Sequence, residues 1–430
     1  MTTTSARPKR ASRRVLDGRL LLVIAWVVSS LEGFDLAVYG VSVPALLQDP
    51  SLGVDPIAAG AIGSMVGLGM LVGAALAGAV VHRTGPLRLI IASVGVFSVG
   101  MLLSAAAPSA EVFGVGRLVV GLGLGVALPT VNAYVADLSA PARRSRNIGI
   151  IMSGYAAGAL LAPLTGAALL PETSYRWLYV LGVIPAVLVA PFLRRLPESP
   201  AHLLRRGRTD EARAITERYG LPEPRNHTSR PGRWLGLAAL LAPGVRGATL
   251  LFWVMSFCGL LLVFGISAWL PSMMQAAGYT LGSALLQTAA MWVGVGVGVI
   301  VGGHVADRIG PKRVVVLAFL VGTLSLVLMS LNPTVWILYV LMFVSGFGFI
   351  GSQILGNAFI VTRYPDDLRA SGLPWALSVG RLGAIVGPTL GALVLSSGLS
   401  TQWNFYAFAI PALVGAAATA LVPQVRVRQK

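Results

Sequence analysis

The chain has a single cysteine, Cys258, among 430 residues. That excludes an intramolecular disulfide and leaves the thiol as a small packing residue. Charge is also scarce, at 11% Asp, Glu, Lys and Arg against 55% hydrophobic residues. A chain of this composition cannot hide its apolar surface in a soluble core and belongs in a bilayer. The four histidines, His82, His202, His227 and His304, are too scattered to gather around a metal. No nucleophile set and no phosphate loop on a strand is found, so neither an enzyme, a metal nor an organic cofactor is expected. The first 20 residues lack the small-residue cleavage site of a removed signal and run straight into a long apolar span.

Apolar runs long enough to cross about 30 Å of hydrocarbon, roughly 20 residues each, recur along the chain. They lie near 20–46, 57–81, 87–107, 110–136, 147–170, 175–193, 247–274, 284–306, 314–331, 334–361, 371–396 and 401–423. The prediction is an all-α membrane protein of twelve transmembrane helices in two six-helix bundles, 20–195 and 246–424. A basic tail (1–19) precedes them, a polar linker (196–245) joins them and a short tail (425–430) follows. Within the linker, Ala201 to Tyr219 has the spacing of an amphipathic helix, suited either to an anionic leaflet or to a solvated loop.

The net charge of +17 would suggest nucleic acid in a soluble protein, but its placement gives a simpler reading. Apart from Arg117, Arg176 and Arg381, the Lys and Arg fall in the first tail, the linker, the last tail and every second connection. The opposite connections carry Asp49, Asp55, Glu111 and Glu172. Positive-inside bias then puts both termini and the linker in the cytoplasm of a multi-pass inner-membrane protein. Trp177, Trp269, Trp336 and Trp403 near span ends read as interfacial belt residues.

Residues 78–169 superimpose on 303–394 at a constant offset of 225, so the two bundles are expected to be pseudo-symmetric. A half-protein hydrophobic repeat is a mark of transporters with a site between two halves. Gly78 to Arg88 falls on Gly303 to Arg313, with Gly85-Pro86 on Gly310-Pro311, and Arg144 falls on Arg369. Glycine-rich stretches, such as Gly63 to Gly73 and Gly294-Val-Gly296-Val-Gly298, allow close helix approach. Pro129, Pro163, Pro374 and Pro388 interrupt spans as flex points or simple kinks.

Twelve spans, a central loop and a Gly-x-x-x-Asp-Arg-x-Gly-type signature after the second span of each half resemble the major facilitator superfamily. The resemblance makes Gly78, His82, Arg83, Gly85, Asp137, Arg144, Gly303, Asp307, Arg308, Gly310 and Arg369 candidate gating residues. His82 departs from the pattern by replacing the signature acid. Within the superfamily, Glu32-Gly33-Phe34-Asp35 resembles the Asp-Gly-x-Asp signature of the aromatic acid:proton symporters. Arg117 to Gly125, Leu196-Pro197-Glu198-Ser199-Pro200 and Gly380-Arg381-Leu382-Gly383-Ala384 are similar to further motifs of these porters. The resemblance implies a monomer that imports a small aromatic carboxylate, of the benzoate or hydroxybenzoate class, with protons through alternating access. A proton-coupled exporter of drugs or metabolites is the alternative, weakly disfavoured by Ala162-Pro163-Leu164-Thr165 in span 5.

Glu32, Asp35, Arg117 and Arg381 are the ionisable groups expected deep in the hydrocarbon, where each Asp or Arg costs about 2.5 to 3.5 kcal/mol at a helix centre. Glu32 and Asp35, three apart, share one face of span 1, so burial and mutual repulsion favour a proton on one of them. Alternatively, either acid is bridged permanently to Arg117 or Arg381. Arg381, about 17 Å into its span at 1.5 Å per residue, offers a donor fork for a substrate carboxylate or a structural bridge to span 1. Arg117 suits proton coupling and gating equally. Phe34, Tyr39, Tyr155, Trp292 and Trp375 are candidate ring-stacking residues, and Gln353, with Asn132 and Asn357, can bond a hydroxyl.

Overall fold

The computed structural model describes residues 18–222 and 233–423; both basic tails, apart from Gly18 and Arg19, lie outside the described residues. The first bundle comprises α1 (Gly18–Leu46), α2 (Pro56–Thr84), α3 (Pro86–Ala105), α4 (Ala110–Asp137), α5 (Pro141–Leu169) and α6 (Arg176–Leu193). The linker holds α7 (Pro200–Arg205), α8 (Thr209–Tyr219) and α9 (Arg233–Leu240). The second bundle comprises α10 (Arg246–Ala276), α11 (Leu281–Ile309), α12 (Pro311–Met329), α13 (Val335–Gly346), a π-turn (Phe347–Gly351), α14 (Ser352–Arg363), α15 (Asp366–Ser396) and α16 (Trp403–Leu421). With α13 and α14 counted as one span, twelve helical spans among the described residues are long and apolar enough to cross a membrane.

Local chemistry sets the boundaries. Asp55 caps α2 by accepting the Ala58 N–H at 2.7 Å. Gly85 (φ +87°) and Gly310 (φ +91°) turn the chain between α2 and α3 and between α11 and α12, each followed by a proline at the first helical position. Three expectations need correction. Span 5 begins at Pro141 rather than 147, so exposed Arg143, Arg144 and Arg146 form its first turns. The stretch from Ala201 to Tyr219 is not one helix: Gly207 takes φ +71° and separates α7 from α8. Trp269 is not a belt residue, because it is buried and donates its indole N–H to the Pro388 carbonyl at 2.7 Å; Trp177, Trp336 and Trp403 are exposed.

The internal repeat is a repeat of contacts. A Cβ at Gly121 would lie 2.3 Å from the Val66 carbonyl oxygen, and one at Gly346 would lie 2.1 Å from the Met291 carbonyl oxygen. Val66 and Met291 are themselves 225 apart. Gly123 against Ser93 and Phe97 recurs as Gly348 against Ala318 and Gly322. The symmetry has one local break. α4 ends at Asp137 and is followed by a three-residue connection, whereas α14 ends at Arg363 and is followed by two residues. The π-turn absorbs one extra residue, and the loop gives it up, so the offset survives without a gap.

The bundles meet through α1 with α10, α2 with α15 and α5 with α11. Gly60 lies against Ala392, Gly67 against Ile385, Gly40 against the Ser267 carbonyl and Gly166 against Leu285. Ser64 adds hydrogen bonds to the Ile385 carbonyl at 2.5 Å and to Thr389 at 2.9 Å. All these contacts belong to helix halves away from the arginine-rich face. Toward that basic face, α2 buries no residue from 74 to 84, and α11 none from 303 to 309. The seam is therefore closed on the far side and open on the basic side.

Close packing at mates of the repeat makes them equally sensitive. Gly121→Leu and Gly346→Leu are each expected to lower stability by about 2–3 kcal/mol, because the new side chain meets backbone. Gly296→Leu, whose Cβ meets nothing within 4 Å, is expected to stay within about 0.5 kcal/mol. Melting of the detergent-solubilised variants checks the ranking.

Candidate functional site

The centre of α1 carries the chemistry. Gly33 has no side chain because α5 leaves no room: a Cβ there would sit 1.9 Å from the Tyr155 carbonyl oxygen. This approach brings Tyr155 alongside the acids that flank Gly33, and its phenol interacts electrostatically with both Glu32 and Asp35.

Asp35 is committed to one partner. Arg117 of α4 donates to it through two nitrogens, Nη1 to Oδ1 at 2.5 Å and Nη2 to Oδ2 at 3.2 Å. Both residues are sealed from solvent, at 0% and 2% exposure. The guanidinium carbon lies 5.2 Å from the Tyr39 ring centre and 5.7 Å from that of Tyr179, so two aromatic faces replace part of its lost hydration. Both rings are pinned: Tyr39 donates to the Ala59 carbonyl, and the hydroxyls of Tyr179 and Ser42 are 2.7 Å apart. Tyr39 thus serves the ion pair, alongside Tyr179, which carries no distinguishing mark in the sequence.

Glu32 is in a different position. It is buried, and its Oε2 has no hydrogen-bond partner. It interacts electrostatically with Arg381 of the second bundle and with Asp35. Yet among the described residues, the ion pairs within 4 Å are Arg117–Asp35 and Arg208–Glu211. Arg381 is half-buried. Across the same seam, the Tyr155 and Trp292 rings meet edge to face at 6.4 Å, and the buried Trp292 indole nitrogen lacks a partner.

The remaining candidates are distributed. Phe34 points into the first bundle, where a Cβ at Gly182 of α6 would touch its ring at 3.3 Å. Gln353 and Asn357 hydrogen-bond each other at 3.0 Å, and Gly259 leaves space for the Gln353 amide. Asn132 Oδ1 is buried without a partner. Trp375 lies 6.5 Å from Trp253, ring to ring, nearer the basic face. Trp253 was not legible as a candidate.

On the basic face, the linker docks onto the first half. His82 Nδ1 lies 3.1 Å from Arg205 Nη1, and the Arg83 carbonyl accepts from Arg206. Arginine only donates, so the contact requires His82 neutral with its proton on Nε2. Glu198 accepts the backbone N–H of Leu87 at 3.3 Å, Asp137 accepts from Ser199 at 2.7 Å, and Tyr134 donates to the Pro197 carbonyl at 2.5 Å. Arg144 donates to the Ala136 carbonyl at 3.2 Å, and Arg369 to the Tyr364 carbonyl at 3.0 Å. Asp307 and Arg308 are exposed. Gly78 and Gly303 have nothing within 4 Å of a would-be Cβ. Burial pushes His202 in α7 below the usual histidine range. On the far face, the Ser51 hydroxyl holds the Asp49 carboxyl low, and Tyr175 joins it at 2.9 Å, tying the end of α1 to the start of α6.

Residues 25–302 and 252–430 match the family described as Major Facilitator Superfamily. The chain is 30% identical over 423 residues to the benzoate transport protein of Acinetobacter baylyi, covering 95% of this chain and 90% of that one. It is 34% identical over 420 residues to the gentisate transporter of Corynebacterium glutamicum, covering 95% and 88%. The fold matches the xylose transporter XylE of E. coli in a partially occluded inward-open conformation, with a TM-score of 0.76 at 18% identity over 96% of this chain and 99% of that one.

The ion pair generates a test of its own. Asp35→Ala or Arg117→Ala leaves an uncompensated buried charge and is expected to cost about 3–5 kcal/mol. The double Asp35→Ala, Arg117→Ala variant is expected to cost less than the sum of the two. Thermal melting of the three variants measures this coupling.

Proposed function

The chain belongs to the major facilitator superfamily, and on that footing we propose that it imports a small aromatic carboxylate, of the benzoate or hydroxybenzoate class, in symport with protons. Like its relatives it is a membrane transporter and not an enzyme. The observation that carries the reading is Glu32: a buried carboxyl with an unpartnered oxygen, within electrostatic reach of the half-buried Arg381 across the bundle seam.

One arginine facing two anions gives the coupling. A substrate carboxylate and the Glu32 carboxylate compete for the Arg381 guanidinium. With a proton on Glu32, Arg381 is left to the substrate, so proton and anion enter together. When that proton leaves toward the cytoplasm, the restored Glu32 charge draws Arg381 back, and the substrate loses its clamp. Asp35 remains with Arg117 throughout and holds the frame. The Tyr155 and Trp292 rings, with their edge-to-face geometry, suit the walls of a site for a benzene ring.

The benzoate and gentisate transporters named above share a carboxylated ring as cargo, which supports this substrate class. We assign the basic face to the cytoplasm of the inner membrane. The contact pattern then reads as an inward-facing state, and alternating access requires the glycine-lined outer seam to part while the inner halves close. A monomer contains every group this scheme uses.

Reconstituted vesicles test the proposal. An inward proton gradient is expected to drive accumulation of labelled benzoate or hydroxybenzoate, and an uncoupler to abolish it. Glu32→Gln is expected to retain substrate exchange but lose gradient-driven accumulation. Arg381→Gln is expected to raise the half-saturation concentration roughly a hundredfold, since a charge-paired anchor is worth several kcal/mol. Gradient-driven accumulation that persists in Glu32→Gln would remove Glu32 from the coupling, and transport running only outward would reject import.

A further inference from the structure

A second polar site lies away from the bundle seam. Where α3 begins and α6 ends, these helices and the linker helices α7 and α8 enclose a cavity of about 1220 Å³ on the basic face. Five arginines line it: Arg88, Arg194, Arg195, Arg206 and Arg208. The acids that share it are largely engaged. Glu198 accepts from the Leu87 and Ser199 backbone N–H groups, and Glu211 holds Arg208 at 2.6 Å, leaving Asp210. Arg206 is spent on the Arg83 carbonyl. Among the described residues, the Arg88 and Arg194 side chains have no hydrogen bond or ion pair, and the Arg195 guanidinium has only the Phe192 ring, 5.9 Å away. Three exposed guanidinium groups thus face one cavity. The first turn of α8 adds backbone N–H groups that no side chain caps.

The cavity lies beside the end of the apolar span α6, the place on a membrane helix where hydrocarbon gives way to headgroups. α6 stops at Leu193, and just before this its outward residues Val187, Leu188 and Phe192 are exposed, as a surface that meets acyl chains is. Leu87, Ile91 and Ile215 add apolar wall inside the cavity. A phosphate held by the arginines leaves its tails beside α6. We infer that this cavity binds the phosphate-bearing headgroup of an anionic inner-leaflet lipid. The lipid bridges the first bundle to the linker, and its site is separate from the seam that carries substrate.

Native mass spectrometry of the full chain in detergent tests this, with dioleoyl phosphatidylglycerol, dioleoyl phosphatidylcholine and inorganic phosphate as probes. Phosphatidylglycerol is expected to remain bound, the other two not. The Arg88→Gln, Arg194→Gln, Arg195→Gln variant is expected to lose phosphatidylglycerol retention at least about tenfold. A control variant with the exposed Arg143, Arg146 and Arg313 changed to Gln is expected to stay within about threefold. The single Arg194→Gln variant, the mildest perturbation, is expected to weaken retention in the same direction. Equal losses in both triple variants would overturn the site in favour of the general field of the basic face. Displacement of the lipid by inorganic phosphate would overturn the lipid in favour of a soluble anion.

Discussion

The buried bidentate pair between Asp35 and Arg117 is the constraint around which the first bundle is organised. Two charges without water are tolerable only when each satisfies the other and the surroundings supply further polarity. Here, Tyr39 and Tyr179 supply it, and each is held by a bond of its own to α2 or back to α1. Four helices, α1, α2, α4 and α6, are thereby fixed together along about two turns of α1, from Asp35 to Ser42. With Asp35 locked, the second acid of the pair is left without a fixed partner inside the bundle, and its remaining electrostatic neighbour of opposite charge lies on the other side of the seam.

That division places different tasks on the two halves of a duplicated scaffold. The repeat mate of Arg117 is Met342, and that of Arg381 is Ala156. Neither arginine belongs to the shared frame, which is made of glycines set against backbone. The glycines explain how the two bundles can touch as closely as Gly40 and Ser267 do: a missing side chain on one helix lets it rest against the backbone of the other. The linker divides in the same way: Glu198, Ser199, Arg205 and Arg206 grip the first half, while α9 lies on the second, with Gly236 against Ser371 and the Leu240 carbonyl accepting from Thr249 at 2.9 Å.

Much of this was legible in the sequence. Hydropathy located the spans because a bilayer demands unbroken apolar length, and the offset of 225 foretold packing that recurs glycine by glycine. Glu32, Asp35, Arg117 and Arg381 stood out because charge in hydrocarbon is costly. What spacing could not reveal was the assignment of partners. Residues three apart on a helix are about 60° out of line, enough for Asp35 to face α4 while Glu32 faces the seam. Phe34, beside both, turns toward α6 for the same reason. Trp269 was misjudged because nearness to a span end does not say which way a ring points, and α7 was separated from α8 by a positive φ at Gly207 that helical spacing conceals. Tyr179 left no trace, being one tyrosine in an ordinary apolar stretch.

The π-turn at Phe347–Gly351 has a consequence of its own. A hydrogen-bonded helix has no slack, but this span carries one residue more than its regular mate and has taken it from the connection that follows. The surplus is held as one wide turn at Phe347–Gly351, so Gln353 and Asn357 lie beyond a break in the regular α-helical register that α4 does not have. A chain duplicated for symmetry has in this way acquired an irregular turn in one copy that the other copy lacks.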